Sequence, residues 1–281
     1  MESTTPGPGN LIGLIDFDGT IFETESYYDN CMDDLFHKRS ITDRPRVDYK
    51  DAVADKYRFV TGTGWRIIIP DTVEFLTGER PTPEETESLV EEFTGLVCDA
   101  ARTSHAGHAY QASLNLCRKI VEQGGRLSIH SGTEPEIVHT LLDLEGVGDL
   151  FDTVVSSHKT SDLLDGGYTR YKRNLMERLM DHYKNGGVDP KGVNGEDAVI
   201  GTATRPDTRF FVLGDSNGDG FAALELGLPF VMARRHDTPR FMTVGGEMIT
   251  PVLSLEVDGD GGEIPWILDS ITKQADPAPI A

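Results

Sequence analysis

Five short apolar runs, set apart by helical stretches, constrain the fold of this chain more than any other feature. They are Leu11–Ile15, Arg126–His130, Asp152–Ser156, Arg209–Leu213 and Leu228–Ala233. Runs this short and this rich in β-branched residues read as strands buried on both faces, as in a parallel sheet. Between them, His108–Gln123 carries apolar residues at helical spacing and meets a stop at Gly124-Gly125. Thr133-Glu134-Pro135-Glu136 reads as a capping box with proline in the first turn, opening a helix to about Leu144. Arg173–Tyr183 reads as a further helix, ended by Asn185-Gly186-Gly187. Alternating strands and helices predict an α/β fold with a Rossmann-like, doubly wound parallel sheet.

The alternation is interrupted once, by a long excursion over residues 22–104. It is charged and mainly helical in pattern. Thr82-Pro83-Glu84-Glu85 opens one helix, with Thr82 as N-cap, Pro83 in the first turn and Glu85 closing a capping box. The acidic run from Glu84 to Glu92 reads as a solvated helix face. An insert of this size is too long for a crossover and too ordered for a loop. The expected division is therefore a flexible lead over 1–10, a core from 11–21 and 105–281, and an inserted helical domain over 22–104. Residues 184–208, rich in Gly, Asn, Asp and Thr, read as an extended loop or flap.

With 281 residues, 38% of them hydrophobic, the chain is long enough for one or two domains with a proper core. No apolar run approaches the ~20 residues needed to span a membrane. The lead lacks the basic-then-apolar pattern of a signal peptide. Cys31, Cys98 and Cys117 are odd in number and show neither a disulfide framework nor zinc spacing. A reducing cytoplasm is the simplest home. The net charge of −21 leaves no basic face for a phosphate backbone, so nucleic acid is not an expected partner.

The chemistry gathers at strand ends. Asp16 and Asp18 follow the first apolar run directly, two residues apart, with Gly19 turning the chain behind them. Open α/β sheets place their ligands beyond such carboxyl ends. Two crowded acids repel unless a cation or a shared proton relieves them. Asp-x-Asp-Gly also occurs in plain surface turns and opens calcium loops, but Thr20-Ile21-Phe22 is too apolar to continue a calcium loop. Ser131-Gly132 follows the second run and precedes a helix, where exposed N–H groups and a hydroxyl can cradle a phosphate. Gly214-Asp215-Ser216-Asn217-Gly218-Asp219 follows the fourth run and brings two more acids to the same edge. Lys172 lies ahead of the helix from Arg173, with Lys159 and Lys191 as alternatives. Such acids form an oxygen-rich site suited to Mg²⁺; with a lysine and a hydroxyl they make a phosphoryl-transfer site.

In this order, Asp16-x-Asp18-Gly19-Thr20, Ser131, a lysine and Gly214-Asp215-Ser216-x-x-Asp219 resemble the motifs of the haloacid dehalogenase superfamily. The insert after the first motif resembles that superfamily's helical cap of the C1 type. The resemblance covers about residues 11–235, and its first and last motifs are specific together. It implies a phosphatase with Asp16 as nucleophile, forming an aspartyl-phosphate, and Asp18 as acid and base. It further implies Mg²⁺ held by the Asp16 carboxylate, the Asp18 backbone carbonyl and Asp215. Ser131, Gly132 and Lys172 would bind the phosphoryl oxygens, with Thr20 and Asp219 in support. Relatives that break carbon–halogen bonds generally lack an acid at the place of Asp18, so its presence favours phosphate esters. The implied partner is a small phosphorylated metabolite. A phosphomutase acting on a sugar phosphate would use the same residues, and a non-catalytic binding protein on this fold is the remaining alternative.

Glu25 stands where several relatives with this cap type keep an acid facing the substrate. Arg58 and Arg66 could reach from the cap toward an anionic substrate tail. Trp65 and Gly62-Thr63-Gly64 could form a cap loop over the site, although the run lacks the Lys-Ser/Thr ending of a P-loop. His105 and His108 read as a polar pair at a helix entry rather than as metal ligands. The sequence sets neither the substrate nor the oligomeric state.

Overall fold

The computed structural model describes residues 11–43, 64–103, 109–155, 171–185, 208–235, 242–244, 247–249 and 253–273. Its centre is a sheet built from β1 (Leu11–Asp16), β2 (Arg126–His130), β3 (Thr153–Val155), β4 (Arg209–Gly214) and β5 (Phe230–Arg234). A small antiparallel hairpin, β6 (Met242–Val244) and β7 (Glu247–Ile249), precedes the last strand, β8 (Leu253–Glu256). The six sheet strands lie in the order β3-β2-β1-β4-β5-β8, and every neighbouring pair is parallel. Strand order reverses at β1, which sits between β2 and β4. That is where a doubly wound sheet opens a crevice for a ligand.

The helices are α1 (Glu25–Lys38), α2 (Trp65–Thr77), α3 (Pro83–Thr103), α4 (Gln111–Glu122), α5 (Pro135–Glu145), α6 (Tyr171–Asn185), α7 (Asn217–Glu225) and α8 (Ile264–Lys273). The two-residue period of β1 explains why both faces are covered. Leu11 and Ile15 join an apolar cluster with residues of α4, α5 and α8. Ile12 and Leu14 join a second cluster with Leu175, Met176 and Leu179 of α6 and Ala222 and Ala223 of α7. Burial of each large side chain contributes about 1.5–3 kcal/mol. At Gly13 a Cβ atom would fall within 2.8 Å of Leu127 and Phe211, so neighbouring side chains close over that position.

Helices α1, α2 and α3 belong to the first cluster as well. Met32, Leu35 and Phe36 of α1, Ile68 and Ile69 of α2, and Leu89 and Phe93 of α3 are buried with the sheet residues. Trp65 opens α2, and its ring lies 4.8 Å from Tyr28 and 4.6 Å from Phe93. The capping box of α3 forms as expected: Thr82 Oγ1 accepts from Glu85 N–H at 3.2 Å, and Glu85 accepts from Thr82 N–H at 2.8 Å. The acidic face of α3 is mostly exposed, though Glu92 pairs with Lys38 and Arg39. Cys31, Cys98 and Cys117 are buried free thiols. Among the described residues, no helix is long and apolar enough to cross a membrane.

Two local expectations change. The helix after Glu134 has no side-chain cap bond; Glu134 itself is the extended N-cap residue with Pro135 behind it, and the Thr133 hydroxyl turns to Asp18 instead. The next helix begins at Tyr171, so Lys172 lies inside its first turn rather than ahead of it. The chain beyond Arg234 adds a sheet strand and a helix, because Leu253, Leu255, Ile264, Ile267 and Ile271 still bury against the first cluster. Arg58, Lys159, Lys191, His105, His108, Gly62, Thr63, residues 1–10 and most of 184–208 lie outside the described residues.

Candidate active site

β1 carries Asp16 to its carboxyl end, where the chain leaves the sheet and turns back on itself. Ile21 and Phe22 both donate backbone N–H bonds to the Phe17 carbonyl, at 2.9 and 3.1 Å, and Gly19 donates to the Phe22 carbonyl at 2.8 Å. Gly19 has φ +72°, and a Cβ there would overlap the Asp215 carboxylate. A side chain at 19 is thus excluded twice, by conformation and by the acid pressed against it. Asp215 follows β4, the neighbour of β1, so parallel pairing brings the first and last motifs together.

Lys172 resolves part of the acid crowding. Its Nζ donates to Asp16 at 2.5 Å and to Asp219 at 2.8 Å, and its side chain is only 6% exposed. Burial alone would strip a lysine of its proton, but the two carboxylates outweigh it and raise its pKa above the ordinary value. Asp219 is also fixed by its own helix. Ser216 caps α7 by accepting from Asp219 N–H at 3.2 Å, and Asp219 accepts from the Ser216 hydroxyl at 2.5 Å and its N–H at 3.2 Å. Burial works to raise Asp219, yet Lys172 foremost, with the hydrogen bond from Ser216, holds it below the usual carboxylate range.

Asp16 and Asp215 are not relieved to the same degree. Burial first, then Asp219, pushes Asp16 well above its ordinary value despite Lys172. The Asp215 side chain keeps some exposure; burial first and Asp219 second still push it up to about 7, against the pull of Lys172. One ammonium among three close carboxylates leaves a deficit of positive charge. The acids at this strand end therefore fit a divalent cation such as Mg²⁺.

Asp18 lies one side chain further out, among hydroxyls. Its Oδ1 accepts from Thr24 at 2.8 Å and Tyr28 at 2.6 Å. Its Oδ2 accepts from Ser131 at 3.1 Å and Thr133 at 2.6 Å. Ser131 is fully buried, and its Oγ accepts from Thr133 N–H at 3.0 Å. Gly132 is buried in the same turn between β2 and α5. Thr20 is buried beside the turn, and its hydroxyl has no hydrogen-bond partner among the described residues.

The structure thus brings Asp16, Asp18, Ser131, Gly132, Lys172, Asp215 and Asp219 to one sheet edge. Arg66 stands apart in its bonding: it pairs with Glu134, the N-cap of α5, and with Glu87 of α3 at 3.0 Å. It ties α2 to α3 and α5 and is engaged by two acids. Glu25 begins α1.

Four residues at the edge escaped sequence reasoning. Thr24, Tyr28 and Thr133 reach Asp18 through tertiary contact, which no local pattern announces. His130 ends β2 directly opposite Asp16 in register, with Nδ1 4.0 Å from Asp219. Burial first and Lys172 second lower its pKa to about 3, so it stands as a neutral imidazole. Oxygen and nitrogen atoms of Asp16, His130 and Asp219 lie within 4.8 Å of one another, but the Lys172 ammonium already bridges the two acids. An ionisable residue ending a strand directly before Ser131 is the signal that could have found it.

No protein-family model matches this sequence, and no curated protein matches it. Solved structures do resemble it. β-Phosphoglucomutase from Clostridium difficile aligns with TM-score 0.63 at 14% identity, over 94% of this chain and 97% of that one. CbbY from Rhodobacter sphaeroides, solved with phosphate, aligns with TM-score 0.60 at 17% identity, over 90% and 96%. A predicted phosphoglycolate phosphatase from Haemophilus somnus aligns with TM-score 0.54 at 13% identity, over 92% and 97%. A mutant of CbbY was solved with xylulose-1,5-bisphosphate. At these identities the likeness establishes the fold: the chain has the haloacid dehalogenase-type fold, shared with phosphatases and phosphomutases.

Proposed function

We propose that this chain is a Mg²⁺-dependent phosphatase that hydrolyses a small-molecule phosphate monoester through an aspartyl-phosphate on Asp16. The contact that carries the reading is Lys172 bridging Asp16 and Asp219 at the edge where Asp215 and Ser131 also converge. Lys172 holds Asp16 in place and supplies positive charge for an incoming phosphoryl group. A carboxylate oxygen of Asp16 attacks phosphorus, and the bond to the leaving oxygen breaks as Asp18 gives that oxygen a proton. Asp18 then takes a proton from water, whose oxygen attacks the phosphorus and releases phosphate and free Asp16. Ser131 and the backbone of Gly132 bind phosphoryl oxygens. Mg²⁺ would be held by the Asp16 carboxylate, the Asp18 carbonyl and Asp215, and would neutralise charge on the phosphoryl group. In this reading residues 22–104 form a cap whose closure excludes water and selects the substrate. A phosphorylated sugar of the kind bound by the CbbY mutant is a fitting first substrate class.

The test is phosphate release from p-nitrophenyl phosphate and then from a panel of metabolite phosphates, with and without Mg²⁺. Wild type should release phosphate only with the metal, and Asp16→Asn should lose at least about 10³-fold in rate. Equal rates for the two proteins would dismiss Asp16 as nucleophile. Isomerisation of a sugar phosphate without net hydrolysis would make the chain a phosphomutase.

A further inference from the structure

The two oxygens of Asp18 are bonded to different parts of the molecule. Oδ2 faces Ser131 and Thr133, the turn where a phosphoryl group would sit. Oδ1 faces Thr24 and Tyr28, where α1 enters. Tyr28 is buried at 4% exposure, its ring edge-on to Trp65 and 6.0 Å from Phe93. The aromatic cluster of α1, α2 and α3 therefore fixes the ring, and the ring fixes where its hydroxyl points. Burial first, and the Asp18 charge second, raise the phenol well above its ordinary pKa, so it stays a donor.

We propose that Tyr28 is a positioning residue for the reaction: its hydroxyl, with that of Thr24, anchors Oδ1 of Asp18 so that Oδ2 is the oxygen that exchanges the proton with the leaving group. This rests on the phosphatase reading above. A phosphoryl group that takes the Ser131 hydroxyl withdraws a donor from Oδ2. The anchored Oδ1 keeps the carboxyl in place while Oδ2 turns to the leaving oxygen. The proton passes from Oδ2 to that oxygen as its bond to phosphorus breaks and the Asp16–phosphorus bond forms. Thr133, 3.2 Å from the Tyr28 hydroxyl, links the anchor to the phosphoryl side. The packing of the insert thereby reaches the acid/base through one side chain.

The experiment compares kcat/KM for phenyl phosphate and p-nitrophenyl phosphate in wild type and Tyr28→Phe. This parameter covers the steps up to departure of the alcohol. Phenol departs poorly without a proton; p-nitrophenol departs well. If Tyr28 acts through Asp18, Tyr28→Phe loses about tenfold or more on phenyl phosphate and less than about threefold on p-nitrophenyl phosphate, a fraction of the 10²–10⁴ that acid catalysis supplies. Thr24→Val removes the other hydroxyl on Oδ1 and should show the same split; it carries the test should Tyr28→Phe fail to fold. Equal losses on both esters, or no loss on either, overturn the proposal while leaving the phosphatase reading intact. A wild type that hydrolyses neither ester overturns that reading, and this one with it.

Discussion

Lys172 shows how one residue can be required by both stability and chemistry. It is a buried cation that stays charged because two buried anions face it. Removing one partner from such an arrangement strands the others in a medium that penalises charge. Lys172→Met keeps the aliphatic bulk and should lower unfolding free energy by about 3–5 kcal/mol, read as a lower urea midpoint at unchanged slope. It should also lower phosphate release by at least about 10²-fold. Lys172→Arg should not restore activity, since a planar fork replaces a compact ammonium between two fixed oxygens. A Lys172→Met protein with wild-type midpoint and turnover would hand the phosphoryl-binding role to another lysine. Sequence alone left three lysines open, because nothing in the residues flanking Lys172 announces its contact with Asp16.

At the scale of elements, the ends of β1, β2 and β4 deliver the acids and the hydroxyl of this site, and one helix start fixes an acid in its own first turn. The start of α7 does so through Ser216, whose bonds with Asp219 run in both directions. Ser216→Ala leaves the Asp219 N–H without its cap and the carboxylate with one donor fewer. The expected loss is about 1 kcal/mol of stability, measured as a shift in urea midpoint, with a fall in turnover as Asp219 loses its grip on Lys172. Unchanged turnover at lowered stability would confine Ser216 to capping. The strands that build this edge were legible because buried parallel strands are continuous apolar runs, as in Leu11–Ile15 and Arg209–Leu213. β8 was not, since Leu253-Ser254-Leu255-Glu256 at the sheet margin buries only alternate residues. Thr133 was misread for a related reason: its local pattern suits a helix cap, but Asp18, distant in sequence, outcompetes the helix for its hydroxyl.

The whole molecule carries a net charge of −21, and a buried group of carboxylates sits at the switch point of the sheet. Asp215, pushed up to about 7 from 3.8, binds a proton more tightly folded than unfolded. Its contribution to stability is thus fully present below about pH 3.8 and is lost as pH rises through about 7. Asp16, also raised, acts in the same direction. Without a metal, neutral and alkaline solution should therefore weaken the fold at this edge. A divalent cation replaces the proton and binds best where no proton has to leave. Millimolar Mg²⁺ should raise Tm more at about pH 8 than at about pH 5, because binding to the folded state alone stabilises it in proportion to the logarithm of occupancy. Surface acids give their own pH trend, so the decisive comparison is with Asp215→Asn, which removes one raised carboxyl at nearly constant shape. In that variant the metal-free loss of Tm between the two pH values should shrink, and so should the Mg²⁺ shift. Equal Mg²⁺ shifts at both pH values in wild type, or an undiminished shift in Asp215→Asn, would place cation binding elsewhere on this acidic molecule.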